Sequence, residues 1–301
     1  MSVKISSGVI LKNNTAQRAQ LLHLTSLSLA NGMKSGSFRS LFRGQGMEFS
    51  GVREYLRGDD VRAIDWNVTA RMGKPFVKVF EEERELDVFI IVDKSLSMNT
   101  GSGIQSRLET AMDCASLITM ASLHNGSPVG SVIFDGKIEF SVAPKAGKNQ
   151  AMLILSELDK TDNQIVGSAL DSALRGAEKL LRKRTLVFVI SDFRAAGWET
   201  PFAHLCQKND VIAIKITDPL DDILPSLGAV PFRDPETGFE CVLPTSSQKF
   251  SRAWRDAAEN RNEMWKKECH RNGGAPLSIS TMQDSAAELI KFFNTREQYS
   301  L

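Results

Sequence analysis

The chain runs to 301 residues with 42% hydrophobic content, enough for one large α/β domain with additions or for two smaller domains. Its 37 Lys and Arg nearly cancel 36 Asp and Glu to a formal +1, which removes any whole-molecule bias toward nucleic acid, membrane or acidic substrate. Cys114, Cys206, Cys241 and Cys269 form no CxxC pair, no secretory-signal pattern opens the sequence, and no apolar run nears the roughly 18 residues of a membrane span. These features point to reduced thiols in a cytoplasmic protein with no integral membrane segment.

Residues 1–35 read as an N-terminal helical segment. "AQLLHLTSLSLANG", 19–32, suits a short amphipathic helix docked on the domain, with a peripheral membrane helix as the other reading. Before Glu48 stand Lys4, Lys12, Arg18, Lys34, Arg39 and Arg43 and no acid, whereas "EEERELD" at 81–87 is nearly all acidic. Such asymmetry is a solvated face or a contact surface for an oppositely charged partner. Residues 36–85 mix short β-like runs with turn residues and lack helical periodicity, which predicts a small β-rich element leaning on a main sheet.

From residue 86 to the end the pattern is strand then helix, repeated. "LDVFIIVD", 86–93, is a continuous β-branched and aromatic run, the mark of a strand covered on both faces. A helix follows at 107–126, with Leu108, Ala111, Ala115 and Ile118 at helical spacing and Gly126 to stop it. "PVGSVIF" and "KIEFSVA" around Asp135-Gly136 predict a hairpin, because that pair tolerates the positive φ of a tight turn. Helices at about 148–158 and 165–182 lead to a second buried strand, "TLVFVISD" at 185–192, then a helix at 199–208 and a third strand, "VIAIKITD" at 211–218. Beyond 219 come a connector, a hairpin around "RDPETG" (233–238), a long helix at 247–271 ended by Gly273-Gly274, the strand "PLSIST" and a last helix at 284–295. The alternation predicts an α/β fold: a mainly parallel sheet with helices on both faces and the hairpin adding an antiparallel edge strand.

Three strands end in aspartate, Asp93, Asp192 and Asp218, and open α/β sheets bind ligands beyond their carboxyl ends. In a tight loop Asp93, Ser95 and Ser97 turn toward one point, and Asp192 on another inner strand reaches the same point directly or through water. Two carboxylates and two hydroxyls suit a hard cation, Mg²⁺ or Mn²⁺ or Ca²⁺ in its place, with a position left for an acidic group from outside. Asp and Ser after a strand are also ordinary N-caps and turn formers.

"FIIVDKSLSM" resembles the metal-ion-dependent adhesion site (MIDAS) of von Willebrand factor A domains, whose later aspartate is matched by "VFVISD". "GVREYLRGDDVRAIDWNVTARMGKPFVKVFEEE" resembles the signature of the bacterial domain-of-unknown-function family fifty-eight, which carries such a domain. The resemblance covers about 40–295 and implies a von Willebrand A or Rossmann-like domain working with a MoxR-type AAA ATPase. Adhesion sites usually take a further threonine from the loop before the helix near Ile165. Here "DKTDNQIVGSAL" puts Gln164 at that place and Thr161 three residues earlier, so the third ligand departs from the pattern.

Within the signature, Arg53, Tyr55, Arg57, Asp59, Asp60, Arg62, Asp65, Trp66 and Arg71 crowd charge and aromatic surface into a short span. They suit either an ion-pair network tying the small element to the main sheet or a docking surface with bidentate arginines and Trp66 as an anchor. GxSxG, HExxH and GxxxxGK[ST] are absent, and Ser95 stands where a haloacid-type phosphatase needs a second acid. His23, His124, His204 and His270 are isolated, Cys269-His270 lacks zinc spacing, and Trp254 and Trp265 on the long helix suit packing rather than base stacking.

The reading is a non-enzymatic, metal-assisted adaptor that grips a client or the ATPase through an acidic side chain, in the assembly or maturation of client proteins. The alternative is a metal-dependent phosphoester hydrolase on the same edge, with Asp135, Asp218 or the 161–164 loop as the hints of a base. RNA or DNA binding through the basic first 47 residues is a third reading.

Overall fold

The computed structural model describes residues 29–30, 48–81, 86–103, 105–160, 166–233 and 238–298. The chain divides into two compact units, Ser37–Glu85 and the remainder.

In the smaller unit β1 (Glu48–Glu54) pairs antiparallel with β2 (Phe76–Glu81), with a shift of register between Phe49 and Gly51. Between them lie a 3₁₀ turn (Val61–Ala63) and a helix, α1 (Trp66–Met72). The helix stands beside the β pair in a stretch whose sequence lacks helical periodicity. Seven residues are too few to display an apolar stripe, and the caps define the helix instead. The Asp65 carboxylate accepts from the backbone N–H groups of Asn67 and Val68, and Gly73 closes the far end at φ 71°, where only glycine sits without strain.

The larger unit is built on β3 (Val88–Asp93), β4 (Val129–Phe134), β5 (Ile138–Lys145), β6 (Leu186–Ser191), β7 (Asp210–Thr217) and a late strand, β10 (Ala275–Ser280). Their order across the sheet is β10-β7-β6-β3-β4-β5, parallel throughout except for β5, which returns antiparallel to β4 from the Asp135-Gly136 turn. Here β3, β4 and β6 are buried along their whole length, which is why their sequences read as unbroken apolar runs. Strands β8 (Ala229–Arg233) and β9 (Glu240–Pro244) form a separate antiparallel pair, and residues 234–237 of the turn expected there lie outside the described residues.

The helices are α2 (Arg107–His124), α3 (Lys148–Leu158), α4 (Leu170–Leu180), α5 (Glu199–Lys208), α6 (Pro219–Asp222), α7 (Gln248–Arg271) and α8 (Ser285–Gln298). Alternation along the strands sends Phe89 and Ile91 of β3, with Val187 and Val189 of β6, into one core with Leu174 of α4, Leu205 of α5 and Trp265 of α7. On the opposite face Phe188 of β6 meets Phe293 of α8, ring centroids 6.2 Å apart. Helix α2 opens on a capping box between Ser106 and Glu109, and helix α4 begins at Leu170 rather than near 165. At Gly130 the β4–β5 crossing is so close that a Cβ would stand 2.7 Å from the backbone of Pro144 and Val142. Only glycine fits there.

Candidate metal centre at the carboxyl edge

Strand β3 ends at Asp93, and its pairing with β4 carries one step further through the Lys94 N–H to the Phe134 carbonyl, 2.7 Å. Asp93 Oδ1 then accepts the Ser95 N–H at 2.9 Å, a local turn that folds the loop back over the strand tip. A 3₁₀ turn (Leu96–Asn99) follows, and the hydroxyls of Ser95 and Ser97 come to 3.2 Å. On the neighbouring strand Val92 pairs with Ile190, so the residue after each stands side by side, and the Ser191 hydroxyl donates to Asp93 Oδ2 at 2.6 Å. Asp192 follows directly. The two strand tips thus deliver Asp93, Ser95, Ser97 and Asp192 to one edge, all of them buried.

Two carboxylates in one buried place repel. Burial, and then the charge of Asp192, push the Asp93 carboxyl up to about 7 against the hydrogen bonds from Ser191 and Ser95. Asp192 Oδ1 accepts the Arg194 N–H at 3.1 Å, while its Oδ2 is buried and accepts no hydrogen bond among the described residues. Arg194 Nε stands 3.7 Å from that oxygen, an ion pair too long for a hydrogen bond. An unsatisfied carboxylate oxygen, a second carboxylate and two hydroxyls are the donor chemistry that a hard divalent cation takes. Among the described residues no group of three or more His, Cys, Asp and Glu comes together, so a cation here would depend on hydroxyl oxygen as much as on carboxylate.

Backbone strain sits beside the edge. Phe193, between Asp192 and Arg194, has φ 54°, in the left-handed region that costs a non-glycine residue about 1–3 kcal/mol in a constrained site. It is held there by Trp198 and Trp265, whose ring centroids lie 5.1 and 5.5 Å away. Past it, the Arg194 guanidinium pairs with Asp221 Oδ1, which also accepts from the buried Arg107 at 2.6 Å.

The other two acids of the edge have different employment. Asp218 accepts the N–H and hydroxyl of Ser102 at 2.7 and 2.6 Å, the Thr281 hydroxyl at 2.8 Å and the Leu220 N–H at 3.0 Å. Burial would raise its carboxyl, but these bonds, Ser102 first, hold it below the usual range. It clasps the ends of β7 and β10 to the loop after Asn99. Asp135 is buried and accepts the Lys137 N–H at 2.9 Å, closing the β4–β5 turn.

Thr161 and Gln164 lie outside the described residues. Just before them the Lys94 ammonium, buried, donates to the Lys160 carbonyl at 2.5 Å. Ser191, on Asp93, and Lys94, on the Lys160 carbonyl, make contacts that spacing along the chain does not reveal. Ser191 is recoverable from strand register, whereas a lysine inside D-x-S-x-S carries no such signal.

In the signature, Arg53 holds Asp59 with two bonds of 2.7 Å, and this pairing keeps the Asp59 carboxyl below its usual value. Asp59 also accepts the Leu56 N–H at 2.8 Å, Asp60 accepts the Arg62 N–H at 2.9 Å, and the Tyr55 N–H reaches the Pro75 carbonyl at 2.9 Å. With Asp65 capping α1, the acids serve turns and caps within the small unit. Arg57, Arg62 and Arg71 are exposed, and Trp66 is 67% exposed.

The family model described as Protein of unknown function DUF58 matches residues 51–264, from the signature through both strand tips into α7. An uncharacterized protein of Mycobacterium tuberculosis is 30% identical over 296 residues, covering 95% of this chain and 91% of the relative. Among solved structures, the conserved hypothetical protein BatB from Bacteroides thetaiotaomicron is similar with a TM-score of 0.45 and 16% identity, over 71% of this chain and 99% of that one. A von Willebrand factor type A structure from Catenulispora acidiphila is similar with a TM-score of 0.41 and 13% identity, over 74% and 43% of the two chains.

Proposed function

The chain belongs to the DUF58 family, and from that premise we propose that it is a non-enzymatic protein-binding adaptor whose grip is assisted by a divalent cation. Asp93, Ser95, Ser97 and Asp192 would hold Mg²⁺, with Thr161 or Gln164 from the following loop as a further ligand. When bound, the ion supplies an open coordination position for an acidic side chain of a partner. The observation that carries the reading is the buried Asp192 Oδ2, which accepts no hydrogen bond among the described residues, beside a second buried carboxylate. Such a pair is costly unless a proton or a cation joins it.

The partner proposed is a MoxR-type AAA ATPase, with a client protein handed on in assembly or maturation, in the cytoplasm. No helix among the described residues is long and apolar enough to cross a membrane. The exposed Trp66, Arg57, Arg62 and Arg71 of the small unit suit a docking surface, since they are the signature residues not spent on local caps. The hydrolase alternative is not favoured: it needs a base beside Asp93, and of the described candidates Asp218 has its oxygens taken by four donors and Asp135 closes its own turn, while the 161–164 loop lies outside the described residues.

Pull-down of the ATPase by the full chain tests the proposal. Binding should require Mg²⁺, fall with EDTA and fall at least about tenfold for Asp192→Asn, which keeps the Oδ1 acceptor for Arg194 but removes the charge. Undiminished capture under both conditions would end the metal-assisted mechanism.

A further inference from the structure

We propose that Arg194 is a built-in stand-in for the cation: its guanidinium neutralises Asp192 while the edge holds no metal, and it has to withdraw onto Asp221 for a metal to enter. The inference rests on the metal-binding reading above, and it assigns Arg194 a gating role rather than a place among the ligands.

Three features carry it. The chain turns back at Phe193, in its left-handed conformation, so that Arg194 lies over the residue two before it: the N–H on Asp192 Oδ1 at 3.1 Å, Nε 3.7 Å from Oδ2. That second distance lets the guanidinium neutralise the oxygen without saturating it, and Oδ2 accepts no hydrogen bond among the described residues. The other end of the guanidinium is held by Asp221, which is itself anchored by buried Arg107 at 2.6 Å, while the Arg194 side chain is 51% exposed. Arg194 therefore has a fixed outer hook and room to pivot about it.

A dication on Asp192 Oδ2 and a guanidinium about 4 Å from the same oxygen repel each other, with the half-exposed Arg194 partly screened by solvent. The two cations compete for one carboxylate. Asp221 offers the displaced guanidinium a carboxylate that it already touches, so withdrawal breaks one long ion pair and keeps the short one. The arrangement sets a threshold: metal binds only where its attraction to the four oxygens exceeds the cost of moving Arg194.

The test is titration of the full-length protein with Mn²⁺, followed by the electron paramagnetic resonance of the free ion, for wild type, Arg194→Gln and Arg194→Lys. The half-exposed position tolerates both changes. Arg194→Gln should bind Mn²⁺ at least about fivefold more tightly than wild type, because the competing charge is gone, and Arg194→Lys should stay within about twofold of wild type. Binding by Arg194→Gln where wild type shows none would support the gate equally. Equal or weaker binding by Arg194→Gln overturns the gate and leaves the metal reading standing. If no form binds Mn²⁺, the metal reading fails and the gate falls with it.

Discussion

Replacing Asp93 by Asn removes a charge from a place that holds it at a cost, and the effect should fade as pH falls. The folded protein keeps the Asp93 carboxyl near 7, against 3.8 for an ordinary aspartate, through burial first and the neighbouring Asp192 second. The raised value means that the folded chain holds a proton that the unfolded chain has released across the window from about 4 to about 7. Stability from this group is therefore present below the unfolded value and lost as pH rises through the window. The gap corresponds to on the order of 4 kcal/mol at its upper bound, and relaxation of the site brings the expected effect to about 1–2 kcal/mol. Asn keeps an acceptor for the Ser95 N–H and has no charge to bury. In EDTA at pH 8, Asp93→Asn should therefore be more stable than wild type, with a melting temperature higher by about 2–4 °C per kcal/mol. At pH 5 roughly a third of that difference should remain, and only below about pH 4 should the two coincide. Urea unfolding at pH 4, 5, 6, 7 and 8, read as the difference between the two proteins, isolates the Asp93–Asp192 pair from the titrating groups that do not interact with it. A variant less stable than wild type at pH 8 without metal would refute the reasoning, because it would mean that the ionised carboxylate is already paid for inside the fold.

Gly130→Ala should lose about 1–3 kcal/mol in chemical denaturation, since the new Cβ meets backbone atoms of the neighbouring strand at 2.7 Å and neither side is a flexible side chain. Phe193→Gly relieves about 1–3 kcal/mol of backbone strain but forfeits about 3–5 kcal/mol of aromatic burial against Trp198 and Trp265, so net destabilisation is expected in the same assay. Trp66→Ala should change the melting temperature of the whole chain by no more than about 1 °C, because the side chain is 67% exposed, yet should weaken capture of the ATPase.

The larger unit was legible because its strands are covered on both sides. A sheet buried front and back demands unbroken apolar residues, and "VFIIVD" and "LVFVIS" supply them, each halting at the polar tip where the site lies. The β4–β5 hairpin announced itself through Asp135-Gly136. Helix α1 did not, because its definition lies in Asp65 and Gly73 at its ends rather than in a repeating face. At the carboxyl edge, spacing along the chain pointed to Asp93, Ser95, Ser97 and Asp192, which the structure brings to one edge. Their hydrogen-bond and ion-pair partners could not be read that way. Ser191 reaches Asp93 across the sheet, Lys94 reaches Lys160 across 66 residues, and Arg194 meets Asp221 through a backbone conformation that no residue type announces. Each depends on register or on tertiary closure, and neither is written in local pattern.

The central claim is that oxygen atoms from β3 and from the tip of β6 share one cation. A crystal grown with Mn²⁺ and measured at the manganese absorption edge tests it most directly. The account predicts an anomalous peak within about 2–2.5 Å of oxygens of Asp93, Ser95, Ser97 or Asp192, with at least one ligand from each strand tip. A map with no peak at that edge, or with Mn²⁺ bound to one tip alone, would contradict it.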